Sequence, residues 1–141
     1  MIPELTTDLL TKVKSVTELQ NRVSLTLGAG DIDPLMQAIT IPAAWILFSG
    51  DQNVDQSQDA RHRSKQKYHF AVYVIIGYGT DESDMIDNQY PILDTVSKSV
   101  AGTDILVTPV IMKWKYEGQA VIHAGADRLV YEQRYSIAGV I

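Results

Sequence analysis

Cysteine is absent from this sequence of 141 residues. Its absence excludes disulfides, thiolate nucleophiles and thiolate metal sites together. Long apolar runs are missing too, since stretches such as Val72–Ile76 fall far short of the roughly 20 residues that a membrane-spanning helix needs. The first residues, Met1-Ile2-Pro3-Glu4, contain neither the basic region nor the apolar core of a secretory signal. We therefore expect a soluble, intracellular protein.

An excess of positive charge is also missing. The chain has 12 Lys and Arg against 17 Asp and Glu, a formal net charge of −5. Such a surface repels nucleic acid and anionic lipid, which disfavours a DNA-reading module. The hydrophobic fraction of 45% and charged fraction of 21% are typical of globular proteins. We expect one domain over residues 1–141, large enough to bury a core.

The first half of the chain contains four segments with the pattern of a helix or a strand. Apolar residues recur every three to four positions over Ile2–Val16, which predicts an amphipathic helix. Val23–Leu27 alternates like a strand, and Asp33–Ile39 begins with the cap and proline of a short helix. Ala43–Phe48 is a continuous apolar run typical of a buried strand.

The second half alternates between strand and helix patterns. Lys67–Tyr78 predicts a central strand, and Asp84–Ala101 predicts a helix that either starts just before Pro91 or kinks there. The remainder predicts strands, with a possible tight turn at Glu117-Gly118 joining Val110–Tyr116 to a returning strand. The fold class that follows is α+β: a mainly antiparallel sheet with two main helices on one face, plus a short helix.

A polar segment at about residues 51–66 interrupts these patterns. It contains too few apolar side chains to order itself, so we expect a long loop, either functional or simply solvated and mobile. Its charges are separated by sign along the chain, acidic before basic: Asp51, Asp55 and Asp59, then Arg61, Arg63 and Lys65.

No motif in the sequence predicts catalysis, a metal or a cofactor. The alternating oxygen ligands from Asp51 to Asp59 imitate a calcium loop, but Gln56 and His62 stand where that loop needs glycine and glutamate. The glycine pairs after two predicted strands lack the third glycine of a dinucleotide fingerprint. The three histidines have no metal-ligand spacing. We expect a protein that is not an enzyme and binds no cofactor.

The order of elements resembles the Mu-like phage tail terminator family over nearly the whole chain. Three segments and the two main helices carry the resemblance: Pro42-Ala43-Ala44-Trp45-Ile46-Leu47, then Tyr68-His69-Phe70-Ala71-Val72-Tyr73-Val74, and Asp127-Arg128-Leu129-Val130-Tyr131-Glu132-Gln133-Arg134-Tyr135-Ser136-Ile137. The resemblance implies a structural virion protein, assembled in the host cytoplasm, that forms a hexameric ring on the head-proximal end of the tail tube. Such a ring ends tube polymerisation and joins the tail to the head.

The implied partners are further copies of the chain, the tail tube protein and a head-completion or connector protein, with DNA passing through the lumen without specific binding. A closed ring uses head-to-tail contacts between two different patches. The charge-separated residues suit such contacts, so we expect a subunit or tube interface at Asp51, Asp55, Asp59, Arg61, Arg63 and Lys65. Two alternatives stay open: a head–tail connector or stopper of the neck, and a small cytoplasmic α+β ligand-binding domain.

Overall fold

The computed structural model describes residues 1–25, 40–53 and 65–140, without the side chains of Lys65 and Val140. Its main elements in chain order are two helices and seven strands: α1 (Ile2–Lys14), β1 (Val23–Leu25), β2 (Ala43–Asn53), β3 (Lys65–Gly77), α2 (Tyr90–Val100), β4 (Asp104–Val107), β5 (Val110–Lys113), β6 (Lys115–Ala124) and β7 (Arg128–Val140). The short helix predicted at Asp33–Ile39 lies outside the described residues.

Five strands form one sheet in the order β1-β2-β3-β7-β6, and β4 and β5 form a separate hairpin. Strand β1 pairs in parallel with β2, and the other described pairings are antiparallel. The α+β class with a mainly antiparallel sheet is therefore confirmed.

Both helices pack on the same face of this sheet. Leu5, Leu9 and Val13 are the buried residues of α1, at the three- and four-residue spacing that defines one helix face. The buried face of α2 includes Leu93 and Val96. They share one core with alternate residues of β3 and β7 and with the β4–β5 hairpin. We call this side of the sheet the helical face and the opposite side the distal face.

The start of the second helix is less regular than the sequence predicts. One α-helical turn, Glu82–Asp84, leads into a π-helical segment, Met85–Gln89, before α2 begins at Tyr90. Pro91 therefore lies in the first turn of α2, where its missing N–H removes no intrahelical hydrogen bond. Of the two possibilities, the start just before Pro91 is the correct one.

The predicted loop at 51–66 is wrong at both ends. Strand β2 continues to Asn53 and β3 begins at Lys65, with Asp51 opposite Tyr68 and Asn53 opposite Gln66. Polar composition predicts exposure, but the strand ladder is held by backbone hydrogen bonds that any non-proline residue can make. Residues 54–64, the middle of the predicted loop, lie outside the described residues.

The turn predicted at Glu117-Gly118 is also wrong. Residues 115–124 form one strand, β6, and the register against β7 shifts between Tyr116 and Gly118. This shift is a β-bulge, in which one extra residue enters the strand and glycine accepts the unusual backbone angle, here φ of 133° at Gly118. A bulge glycine and a turn glycine have the same signature in a single sequence, which explains the error.

Candidate functional site: a charged groove on the distal face

The groove lies on the distal face at a place where two strands bulge. On β2 the register shifts between Phe48 and Gly50, and on β6 between Tyr116 and Gly118. The bulges flank one row of paired residues across the sheet, Phe48, Phe70, Tyr135 and Tyr116. Because bulges bend strands and increase their twist, two on either side of the same row curve the sheet locally.

The groove measures about 610 Å³ and crosses β2, β3, β7 and β6. Each strand contributes a polar or charged residue: Ser49 and Asp51 from β2, Lys67 and His69 from β3, Arg134 from β7 and Glu117 from β6. Strand alternation explains the grouping, since side chains two residues apart along a strand share a face. The groove therefore joins two carboxylates, two permanent cations and one histidine on one surface.

Glu117 is the best-connected charge in the groove. Its carboxylate accepts a hydrogen bond of 2.5 Å from the Ser136 hydroxyl and lies 3.5 Å from Lys67 Nζ and 3.9 Å from Lys115 Nζ. The Ser136 hydrogen bond, followed by the attraction of Lys115 and Lys67, lowers the pKa of Glu117 below its ordinary value. Glu117 therefore stays ionised below the pH at which a free glutamate gains its proton.

The other groove charges are less constrained. Asp51 accepts a hydrogen bond of 2.8 Å from Gln66 Nε2, across the β2–β3 pairing. Arg134 and His69 form no ion pair within the described part of the chain. Their donors are thus available to an external partner, and the shallow, mixed-sign surface suits charge-paired contacts with another protein.

Two of the six residues predicted to form an interface lie within the described residues. Asp51 lies in the groove, and Lys65 begins β3 opposite Val140. The remaining four residues, Asp55, Asp59, Arg61 and Arg63, lie outside the described residues. The structure brings Asp51 together with Lys67, which follows the predicted basic run directly.

Sequence reasoning missed most of the groove. Strand alternation was enough to place Lys67 beside His69 on one face of β3, and Arg134 beside Ser136 on one face of β7. The register that puts these two strands next to each other is tertiary information. Glu117 had no usable signal, because its position depends on the bulge in β6.

The distal face changes character along the strands. Away from the groove it carries an apolar cluster in which Ala43, Ile75 and Val130 are buried and Trp45 and Tyr73 are partly buried. The charged groove and the apolar cluster thus share one sheet surface.

Within residues 1–25, 40–53 and 65–140, no three His, Asp or Glu side chains are grouped closely enough to hold a metal ion. None of the helices in the described segments has both the length and the apolar character to cross a bilayer. No protein-family model matches the sequence, and a comparison with curated proteins finds no significant match.

Proposed function

We propose that this protein is a structural virion subunit that caps the head-proximal end of a phage tail tube as a ring. The ring ends tube polymerisation and forms the surface that joins the tail to the head. The observation that carries the proposal is the difference between the two faces of the sheet. One face is covered by helices and a core, and the other carries a charged groove lined by the last part of β2 and the first part of β3.

The β2–β3 pair supports a role in contact between subunits. Exposed residues Asp51, Gln52 and Asn53 are held in register against β3, which is itself paired with β7 up to Lys65. This ladder fixes where the charge-separated connection between the two strands begins and ends. Two paired strands that border a segment with separated acidic and basic residues suit recognition of a complementary surface.

The charge of the whole chain supports the proposed conduit. A net charge of −5 per subunit gives a ring that repels DNA phosphates. DNA then passes without the salt-dependent binding that a basic lumen would produce. Tight DNA binding at moderate salt would contradict this part of the proposal.

Mass and shape measurements test the proposal. We expect light scattering of the purified protein, alone or with tube protein, to give a hexamer, and negative-stain images to show rings that also sit at tube ends. A stable monomer or dimer that binds a small metabolite in the groove would instead support the ligand-binding alternative.

A charge variant sharpens the same test. Replacing Arg61, Arg63 and Lys65 together with glutamine should leave the fold intact and weaken the ring. The matched control replaces Lys14 and Lys98, which are exposed on the two helices, with glutamine. This control should assemble as the parent does. Unchanged assembly of the triple variant would show that the basic residues take no part in the interface.

A further inference from the structure

The β4–β5 hairpin exposes two large aliphatic side chains that the core does not use. Leu106 is 63% exposed and Ile111 69% exposed, and the two lie directly opposite each other across the hairpin. Their neighbour Met112 faces inwards and is buried in the core, so the hairpin is anchored while this pair faces solvent. We call Leu106 and Ile111 the hairpin patch.

A second apolar surface lies where α2 begins. Ile86 is 62% exposed, Tyr90 43% and Val121 52%. The three are connected, since Ile86 lies one turn before Tyr90, Tyr90 lies near Tyr131, and Tyr131 is the cross-strand partner of Val121. We call Ile86, Tyr90 and Val121 the helix-start patch.

The helix-start patch is bordered by negative charge. Four carboxylates lie on the residues just before and within the patch: Asp81, Glu82, Asp84 and Asp87. Those of Asp84 and Asp87 accept hydrogen bonds from neutral donors, including the Thr80 amide and the Ser83 hydroxyl. In the described part of the chain, none of the four forms an ion pair with a lysine or arginine.

The hairpin patch is bordered by lysines. Ile111 lines a second groove, of about 420 Å³, together with Lys67, Lys113 and Lys115. Two carboxylates pair with these lysines, Asp104 with Lys113 and Glu117 with the other two, so cations outnumber anions there.

Carboxylates on α1 near Leu106 do not cancel this charge. Glu4 and Asp8 line a neighbouring groove with Leu106. Glu4 is paired at 2.8 Å with the terminal amino group of Met1, and Asp8 at 2.6 Å with Lys12. Both are already neutralised within the same copy of the chain.

The two patches lie at opposite ends of the molecule. Helix α2 runs from the helix-start patch towards β4, and its 11 residues span about 16 Å. Along β7, Tyr131 lies beside the helix-start patch and Ile137 lines the lysine groove, a separation of roughly 20 Å at the rise of an antiparallel strand. The patches of one copy therefore cannot meet each other.

We propose that the hairpin patch of one copy docks on the helix-start patch of the next copy. Leu106 and Ile111 then cover Ile86, Tyr90 and Val121, while the lysines face the acidic residues. The contact joins two different surfaces, so it is heterologous and builds a ring or an open chain of subunits. This inference deepens the proposed function by naming the contact between ring subunits, and in that sense it rests on it.

The absence of cysteine makes a direct cross-linking test possible. We expect Leu106→Cys protein mixed with Val121→Cys protein to form disulfide-linked dimers on mild oxidation, and neither variant to do so alone. Cross-linking of Leu106→Cys with itself at equal yield would mean a symmetric contact and would overturn the inference.

Substitution of the patch gives a second readout. The double variant Leu106→Ser and Ile111→Ser should keep its unfolding midpoint, because both side chains are exposed, and should weaken self-association at least about tenfold. Leu25→Ser, which removes an exposed aliphatic from β1, is the matched control and should associate as the parent does.

The outcomes separate this inference from the proposed function. Rings in the parent without the mixed cross-link would overturn the inference and leave the tail-cap proposal standing. The mixed cross-link with open chains in place of rings would support the inference and contradict the cap. A parent protein that stays monomeric at every concentration, both alone and with tube protein, would contradict both.

Discussion

Successive side chains of β3 point alternately into the core on the helical face and towards the distal face, where the charged groove lies. The first set contributes to the stability of the fold, and the groove residues are available to bind a partner. Phe70, Val72 and Val74 face the helices and are 0–1% exposed, whereas Lys67 and His69, on the same strand, face the groove. The helical face gains free energy by removing apolar area from water. The groove end of the distal face keeps charged groups in contact with water, where they are available to a partner.

The helical face is organised around an aromatic cluster. Ring centroids lie 5.2 Å apart for Phe48 and Phe70, 5.4 Å for Phe70 and Trp114, and 5.6 Å for Tyr116 and Tyr135. These separations are those of favourable tilted and edge-to-face pairs. The cluster lies directly behind the charged groove, so the same two bulges position both.

The largest difference between the faces should come from the two tryptophans. Trp114 is 1% exposed and donates a hydrogen bond of 2.8 Å from Nε1 to Asp8, so Trp114→Ala should lower the free energy of unfolding by about 4 kcal/mol. Trp45 is partly buried on the distal face, so Trp45→Ala should lower the free energy of unfolding by only about 1–2 kcal/mol. Urea unfolding measures both, and equal losses would break the contrast between the faces.

Gln133 should give the next largest effect. Its fully buried amide donates to the Leu93 carbonyl at 2.9 Å and accepts a hydrogen bond of 2.6 Å from the Tyr135 hydroxyl. Gln133→Ala leaves the buried Tyr135 hydroxyl without an acceptor. The free energy of unfolding, measured with urea, should therefore fall by about 2 kcal/mol.

Gln119→Ala is the matched control. Gln119 accepts the second N–H of Gln133 at 3.1 Å from an exposed position, where water can replace it. Its loss should cost no more than about 0.5 kcal/mol. A larger loss for Gln119 than for Gln133 would show that burial of the amide is not the deciding factor.

The loss of stability at acidic pH should depend in part on Glu117. Its pKa is lowered in the folded protein, so its contribution is complete above the unfolded-state pKa and is lost as the pH falls through the folded-state pKa. Ser136→Ala should raise the Glu117 pKa in a carboxyl-carbon NMR titration, because it removes the main hydrogen bond, while Ser99→Ala should not. An unchanged titration in Ser136→Ala would assign the shift to the lysines instead.

Groove substitutions should have the smallest effect on stability. Arg134→Gln and His69→Gln remove groups that form no ion pair in the described residues, so each should change the free energy of unfolding by less than about 0.5 kcal/mol. If the proposed function holds, the same variants should reduce binding to a neighbouring subunit of the ring or to the tube. Loss of stability comparable to that of Trp45→Ala would mean that the groove serves the fold.

Much of the fold was predictable because it is local. The stripe of Leu5, Leu9 and Val13 identifies α1, and alternation identifies β3 and β7, since helix and strand periods follow from backbone geometry alone. The predictions were wrong where the residue types favour a loop or a turn but the chain forms a strand. Polar residues at 51–53 form part of β2 because β3 supplies backbone partners, and Gly118 sits in a bulge because β7 holds both parts of β6.

The candidate site was predictable only in part. Asp51, predicted as an interface residue from its place in the charge-separated run, lies in the groove, whereas Glu117 and Arg134 line the groove without having been predicted. They join the groove through strand register, which pairs residues far apart in the chain. The exposed hairpin patch was also missed, since Leu106 and Ile111 have the apolar character of core residues and only the solvent-facing side of the hairpin distinguishes them.

The amino-acid sequence by itself determined the α+β class, the two main helices, the strand faces and the negative net charge. These follow from periodicity and composition, which act over a few residues or over the chain as a whole. The tertiary structure alone decided the strand order, the paired bulges and the meeting of Asp51, Lys67, Glu117 and Arg134 in one groove. Such contacts depend on which distant strands pair and in what register, and that outcome minimises the free energy of the whole chain rather than of any single segment.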